Sequence, residues 1–157
     1  MQTFLRITLV AAVVLGLAIR DARAKEPTGA RPTQVVLVDP VAGSEGEAKA
    51  RKTLFTSLTK HLKARGLTVT SSGSPRFRVR PSLVRVDVVR ERRGVEVKVK
   101  AAVAFVDHGL VDAGFEQTAS LGSENPKANP ASLTSKALDA AAGALAKDVA
   151  QRIAEKR

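Results

Sequence analysis

The stretch RFRVRPSLVRVDVVRERRGVEVKVKAAVAFVD, residues 76–107, alternates charge and hydrophobe almost without a break. In its second half Val95, Val97, Val99, Ala101, Val103 and Phe105 share one parity, while Glu96, Lys98 and Lys100 take the other. Successive side chains of a strand point to opposite faces, so this period of two makes a strand with one dry and one wet side. In the first half Phe77 and Val79 share a face, and Val84, Val86 and Val88 fall on the opposite parity. A shift near Pro81-Ser82 therefore implies a bulge, a bend or a break between two strands. Proline has no N–H to give to a ladder and fits such a place. The turn ERRG, residues 91–94, joins the halves into an antiparallel hairpin.

Outward from this hairpin the pattern continues on both sides. Asp107-His108-Gly109 reads as a second turn, followed by a strand with Val111, Ala113, Phe115, Ala119 and Leu121 at odd positions. Upstream, VVLVDP (residues 35–40) is a short buried-type strand, and LTVT (residues 67–70) is another. Between them SEGEAKARKTLFTSLTKHLKARG carries helix signals at both ends. Ser44 and Glu47 stand at capping-box spacing, Gly66 sits where a left-handed residue ends a helix, and Lys63 and Arg65 complement the dipole. Leu54, Phe55, Leu58 and Leu62 form its apolar stripe. Downstream, Asn129-Pro130 predicts an N-cap and first helical residue, opening an alanine-rich helix to about Glu155. Leu138, Ala141, Ala142, Leu145, Val149 and Ile153 line one side of it.

The expected order is β-α-β-β-β-β-α. A sheet with one dry face and two helices with one stripe each bury those surfaces against each other. The fold class is α+β: a two-layer sandwich with a mostly antiparallel sheet and both helices on one face.

Ahead of this domain, residues 1–24 carry the marks of a secretory signal peptide. Arg6 ends a positive start, Ile7–Ile19 is an apolar run of 13 residues, and Ala22-Arg23-Ala24 offers small residues at the cleavage positions, with cleavage before Lys25. That run is shorter than the ~20 residues a spanning helix needs, so no transmembrane helix is expected in the mature chain; the alternative is an uncleaved anchor, which Arg20, Asp21 and Arg23 at its end would suit. Residues 25–34, KEPTGARPTQ, read as a flexible linker, and residues 35–157 as a single domain. The chain has no cysteine, which excludes disulfides, thiolate metal sites and a lipidated cysteine at the cleavage point. The expected location is periplasmic or secreted.

The net charge is +11, and the stretch from Arg76 to Lys100 holds nine Lys or Arg against Asp87, Glu91 and Glu96. Such a balance favours anionic partners. Arg76, Arg78, Arg80, Arg85, Arg90, Lys98 and Lys100 are the candidate anion- or partner-binding residues. Solvated cross-strand ion pairs would account for the alternation; the clustering is what points to a partner. Nucleic acid is disfavoured, because no helix-turn-helix, RNA-recognition motif or zinc finger is present and there is no Trp or Tyr to stack a base.

Catalytic constellations are not apparent. His108 beside Asp107 sits in a turn, where adjacent side chains seldom face one another, and no nucleophile motif accompanies it. His61 borders the helix stripe and reads as a packing residue. Two isolated histidines have no metal-ligand spacing, so neither metal nor cofactor is expected. VAGSEGE after the first strand lacks the Gly-Lys-Ser/Thr ending of a phosphate loop.

The sequence VVLVDP, the amphipathic helix, ARGLTVT, the hairpin ending AFVDHGLVDAGF and the last helix together resemble small bacterial envelope α/β domains. Those are the N-terminal domain of the translocation protein TolB and the curli-secretion and LpoB-type lipoprotein group. The lipoprotein cysteine and the threonine of that group's hairpin turn are missing here. The resemblance implies a protein that works by contact in envelope assemblies and not by catalysis. The expected function is therefore an exported, non-enzymatic binding or assembly module acting through its sheet, with an acidic envelope protein as partner. The alternative is a binder of anionic polymer or lipid (lipopolysaccharide, acidic polysaccharide, DNA) through the basic sheet face.

Overall fold

The computed structural model describes residues 34–43 and 47–156. The signal peptide read in residues 1–24, its cleavage point and residues 25–33 of the linker lie outside the described residues. The elements are β1 (Val35–Val38), α1 (Ala48–Ala64), β2 (Thr68–Thr70), β3 (Phe77–Glu91), β4 (Gly94–Asp107), β5 (Leu110–Ser123) and α2 (Pro130–Glu155). This is the expected β-α-β-β-β-β-α order. The strands form one open sheet, β2-β1-β3-β4-β5, with both helices packed on the same side. β1 runs parallel to β2 and β3, and β3, β4 and β5 form a long antiparallel ribbon. Gln34, placed by sequence in the linker, already belongs to the sheet's start: its carbonyl accepts the Thr68 N–H at 2.9 Å.

β3 is one continuous strand, and its parity shift falls at Val84, not at Pro81-Ser82. Leu83 pairs with Ala101 and Arg85 with Lys100, so Val84 is the extra residue of a bulge. Before it Phe77, Val79, Pro81 and Leu83 point into the core; after it the even positions do, beginning with Val86. Pro81 is tolerated because of where its nitrogen faces. Its carbonyl accepts from Ala42 N–H on the β1 side at 3.0 Å. There β1 has ended and the chain leaves the ladder at Asp39-Pro40 before rejoining through an Ala42–Ser82 bridge. The absent N–H thus faces the interruption in the ladder.

The covered face of β4 is as predicted: Val95, Val97, Val99, Ala101, Val103 and Phe105 are all buried. Phe105 stacks on Phe77 with centroids 5.6 Å apart. On β5 the reading changes at its first residues. Val106 pairs with Val111 and Phe105 with Ala113, so Asp112 is the extra residue of a second bulge. Val111 consequently lies opposite Val106 on the open face, 65% exposed, and not in the core. Ala113, Phe115, Ala119 and Leu121 do pack against the core.

Each helix lays its apolar stripe on the sheet. Leu54, Leu58 and Leu62 of α1 are fully buried, and Phe55 is half-buried beside them. The first turn departs from the capping box: the N-cap is Glu47, whose side chain bonds none of the free amides, while Ser44 lies outside the described residues. The other end is as expected. Gly66 (φ +79°) sends its N–H to Lys63 carbonyl at 2.9 Å, and Leu67 N–H reaches Leu62 carbonyl at 3.3 Å. That pair of bonds is a Schellman ending, closed by Leu62 and Leu67 both turning into the core. At the start of α2 the Asn129 side chain accepts from Ala131 N–H at 3.0 Å, with Pro130 as the first helical residue. Leu138, Ala141, Ala142, Leu145, Val149 and Ile153 are buried.

Candidate functional site: the open sheet face

The face of the sheet away from the helices is built by the positions that alternate with the core. Arg78, Arg80, Ser82, Arg85 and Asp87 come from β3; Glu96, Lys98, Lys100, Ala102 and Ala104 from β4; Gly114, Glu116, Thr118 and Ser120 from β5. Five of the seven candidate cations therefore share this face: Arg78, Arg80, Arg85, Lys98 and Lys100. Arg90, on the parity of Val86, lies on the other side and pairs with Val95. Arg76 precedes β3 and turns to the end of the sheet beneath α2.

The five cations are not a free positive patch. Asp39 at the end of β1 lies between Arg78 and Arg80, 3.5 and 3.3 Å from their Nε atoms. Arg85 donates to Asp87 at 2.7 Å, and Lys100 meets Glu116 at 2.8 Å, diagonally across to β5. Glu96 accepts from the Ser120 hydroxyl at 2.7 Å. Among the described residues Lys98 makes no ion pair, although its register partner is Asp87. Four carboxylates thus interleave five cations. The middle of the face is flat, because Ser82, Ala102, Ala104 and Gly114 stand side by side across three strands. Leu37 and Val106 flank Arg78 in the register and are buried even on this side, at 4% and 1% exposure.

Arg76 belongs to a second cluster, at the C-terminal end of α2. Its Nε and Nη2 donate to the two oxygens of Asp107 at 2.9 and 3.2 Å, and Nη2 also reaches Lys156 carbonyl at 3.5 Å. Its guanidinium lies 4.6 Å over the Phe77 ring. Arg152 and Lys156 hold Asp112 at 2.7 and 2.6 Å, and Arg152 also donates to Glu155 at 2.9 Å. The Arg76 bond holds the Asp107 carboxyl below its usual range. Arg152, then Lys156, do the same for Asp112, and Arg152 for Glu155. The network ties the β4–β5 turn to the last turn of α2, where cations also favour the helix dipole.

His108 lies in that turn, and here the sequence expectation fails. With Gly109 it takes positive φ at both central residues, 49° and 83°, the signature of a type I′ hairpin. That backbone brings its Nδ1 to 2.8 Å from Asp107. Asp107 is also held by Arg76 and Lys156, both cations. His61 packs on α2 with its Nε2 3.2 Å from Asp139. Burial pushes the Asp139 carboxyl up, and Ser57, His61 and Lys60 together outweigh it, leaving it lowered.

Other features are modest. An open groove of about 240 Å³ runs between β5 and α2, lined by Ala113, Phe115, Asp148, Gln151, Arg152 and Glu155. Among the described residues no set of His, Cys, Asp and Glu converges as metal ligands, and no helix is long and apolar enough to cross a membrane.

The sequence reading missed one basic surface. Lys49, Lys52, Lys60 and Lys63 are all exposed on the outer side of α1. Their spacing of three, eight and three residues, in a run without acids from 48 to 86, was the available signal.

No protein-family model and no curated protein matches this sequence. Solved structures do. The chain is similar to a minor lipoprotein from Acinetobacter baumannii (13% identity, 75% of this chain and 92% of that one, TM-score 0.55). It is similar to a Xanthomonas campestris protein of the DUF330 family (12% identity, 80% and 86%, TM-score 0.55). A third is an uncharacterized lipoprotein B from Nitrosomonas europaea (14% identity, 78% and 86%, TM-score 0.51). The fold of this chain is one that bacterial lipoproteins also adopt.

Proposed function

We propose that this protein is an exported, non-enzymatic module of the bacterial envelope that works by protein–protein contact through its open sheet face. The observation behind this reading is the composition of that face: charges paired with one another around a flat centre of Ser82, Ala102, Ala104 and Gly114. A surface already neutralised internally fits a complementary protein surface, with cross-strand charges setting register and specificity. It offers little to a polyanion, whose binding grows with the number of uncompensated cations. The fold shared with bacterial lipoproteins agrees with an envelope setting, as does the signal peptide read in residues 1–24. The finer kinship to the TolB N-terminal domain and the curli-secretion group is part of the proposal. The chain holds no cysteine for a thioether-linked lipid, so attachment by that route is excluded.

Photo-crosslinking in intact cells tests this. A benzophenone side chain at Lys98 or Thr118 of the open face should give discrete protein adducts in the envelope fraction, and one at Ala140 on the outer side of α2 should not. Adducts from Ala140 alone would overturn the reading.

A further inference from the structure

The largest unbalanced charge of the domain lies on α1 and not on the sheet. Residues 48–86 contain ten Lys or Arg and no Asp or Glu. Within α1, Lys49, Lys52, Lys60 and Lys63 are exposed, and with Thr56 they occupy an arc of about 80° at helical spacing. That arc is opposite the buried stripe of Leu54, Leu58 and Leu62. From Lys49 to Lys63 the row is about 21 Å long. Among the described residues none of the four lysines makes an ion pair. The hydroxyls of Thr53 and Thr56 are turned back onto the carbonyls of Lys49 and Lys52 at 3.0 and 2.9 Å. Asp139, the carboxylate near enough to Lys60 to feel its charge, is held mainly by Ser57 and His61.

We propose that this face of α1 docks on a lipid surface carrying anionic headgroups. The row runs along the outer face of α1, and Phe55, the one phenylalanine of that helix, turns toward the core. A polymer chain is usually gripped in a groove or stacked on rings. Lysine is a hydrated point charge on a flexible stem and needs no fixed geometry in its partner. A flat, laterally mobile layer of negative charge meets such a row along its whole length, with each lysine adding attraction. Docked this way, the domain turns its open sheet face away from the lipid. The proposal does not rest on the protein-contact reading, because α1 and the open face lie on opposite sides of the sheet.

Flotation of the full chain with phosphatidylcholine vesicles, with and without phosphatidylglycerol, tests it. Any contribution of residues 1–33 is common to all variants compared. The wild type should prefer the anionic vesicles, and salt should weaken the preference. Combined Lys49→Gln, Lys52→Gln, Lys60→Gln and Lys63→Gln should lower partitioning by about fivefold per lysine, several hundredfold in all. The same four positions changed to Arg should retain it, and Arg78→Gln with Lys100→Gln on the open face should leave it unchanged. Single Lys52→Gln and Lys60→Gln variants, each losing about fivefold, carry the test if the fourfold change impairs folding. Equal binding to both vesicle types, or equal binding by the fourfold Gln variant with a wild-type melting curve, would overturn the proposal. So would tighter binding to dextran sulfate than to the vesicles, lost in the same variant, which assigns the row to a polymer.

Discussion

The open sheet face and the outer face of α1 carry similar numbers of cations and hold them in opposite ways. On the sheet, Arg78, Arg80, Arg85 and Lys100 each lie within 3.5 Å of a carboxylate oxygen, and the carboxylates come from three strands or their ends. Asp39 and Glu116 are far from the basic stretch in sequence and beside it in space. On α1, Lys49, Lys52, Lys60 and Lys63 have neighbours three and four positions away on the same helix, and none of those is acidic. A sheet recruits counter-charges from distant sequence, whereas an exposed helix face must find them nearby. Density of charge along a chain is therefore a poor measure of net charge on a β face and a better one on a helix.

The first way to break the comparison is to ask whether the two sides of the sheet differ in burial as well as charge. Phe105 is fully buried against Phe77 on the covered side. Phe105→Ala should cost about 3–5 kcal/mol, the usual range for deleting a packed phenylalanine. Thr118→Ala, exposed on the open side of β5, should fall within about 0.5 kcal/mol. Urea denaturation of both variants checks this. A large loss at Thr118 would mean that the open face is covered in the folded protein, and the paired charges would then need another account.

Most of this division was legible in sequence because it follows from period. Alternation over Val95–Phe105 and the stripes of both helices were read correctly from side-chain direction alone. What failed did so at single inserted residues. The extra residue fell at Val84, which is therefore exposed and not inward with Val86, and one at Asp112 turned Val111 outward. A bulge leaves no composition signal beyond a change of parity, which several positions share. Proline drew the first bulge to Pro81, but the missing N–H there was absorbed by the break in β1, an arrangement that depends on the neighbouring strand. The pairing of His108 with Asp107 needed a left-handed histidine. The α1 row lies outside the hairpin where charge is densest along the sequence, and its four lysines come together only through the helical period.

A second, smaller test separates pairing from proximity on the open face. Lys100 and Glu116 are 2.8 Å apart but 40% and 53% exposed. A double-mutant cycle with Lys100→Gln and Glu116→Gln should give a coupling of about 0.2–1 kcal/mol, shrinking in high salt. The same cycle between Lys60 and Glu116, on opposite sides of the sheet, should give none.

The smallest expected effect uses pH to strip the paired clusters of their acids. Asp107, Asp112 and Glu155 are held below their usual range by Arg76, Arg152 and Lys156. A carboxyl lowered in the folded state binds its proton later than it does in the unfolded chain. Its contribution is therefore complete above the ordinary carboxylate range of about 4. It is lost as pH falls toward the lowered value, because the unfolded state takes up protons first. Arg76 and Arg152 are raised and stay charged throughout, so they add no slope in this window. The melting midpoint should fall between about pH 4.5 and pH 2. Asp112→Asn should start lower at neutral pH and fall less steeply, and 0.5 M salt should narrow the gap. An Asp112→Asn curve parallel to the wild type across this window would mean that the cluster is decoration and that other carboxylates set the acid limit. Among the described residues the lysine row of α1 makes no ion pair to lose. Its attraction for anionic vesicles should therefore persist down that range for as long as the domain stays folded and the lipid stays charged.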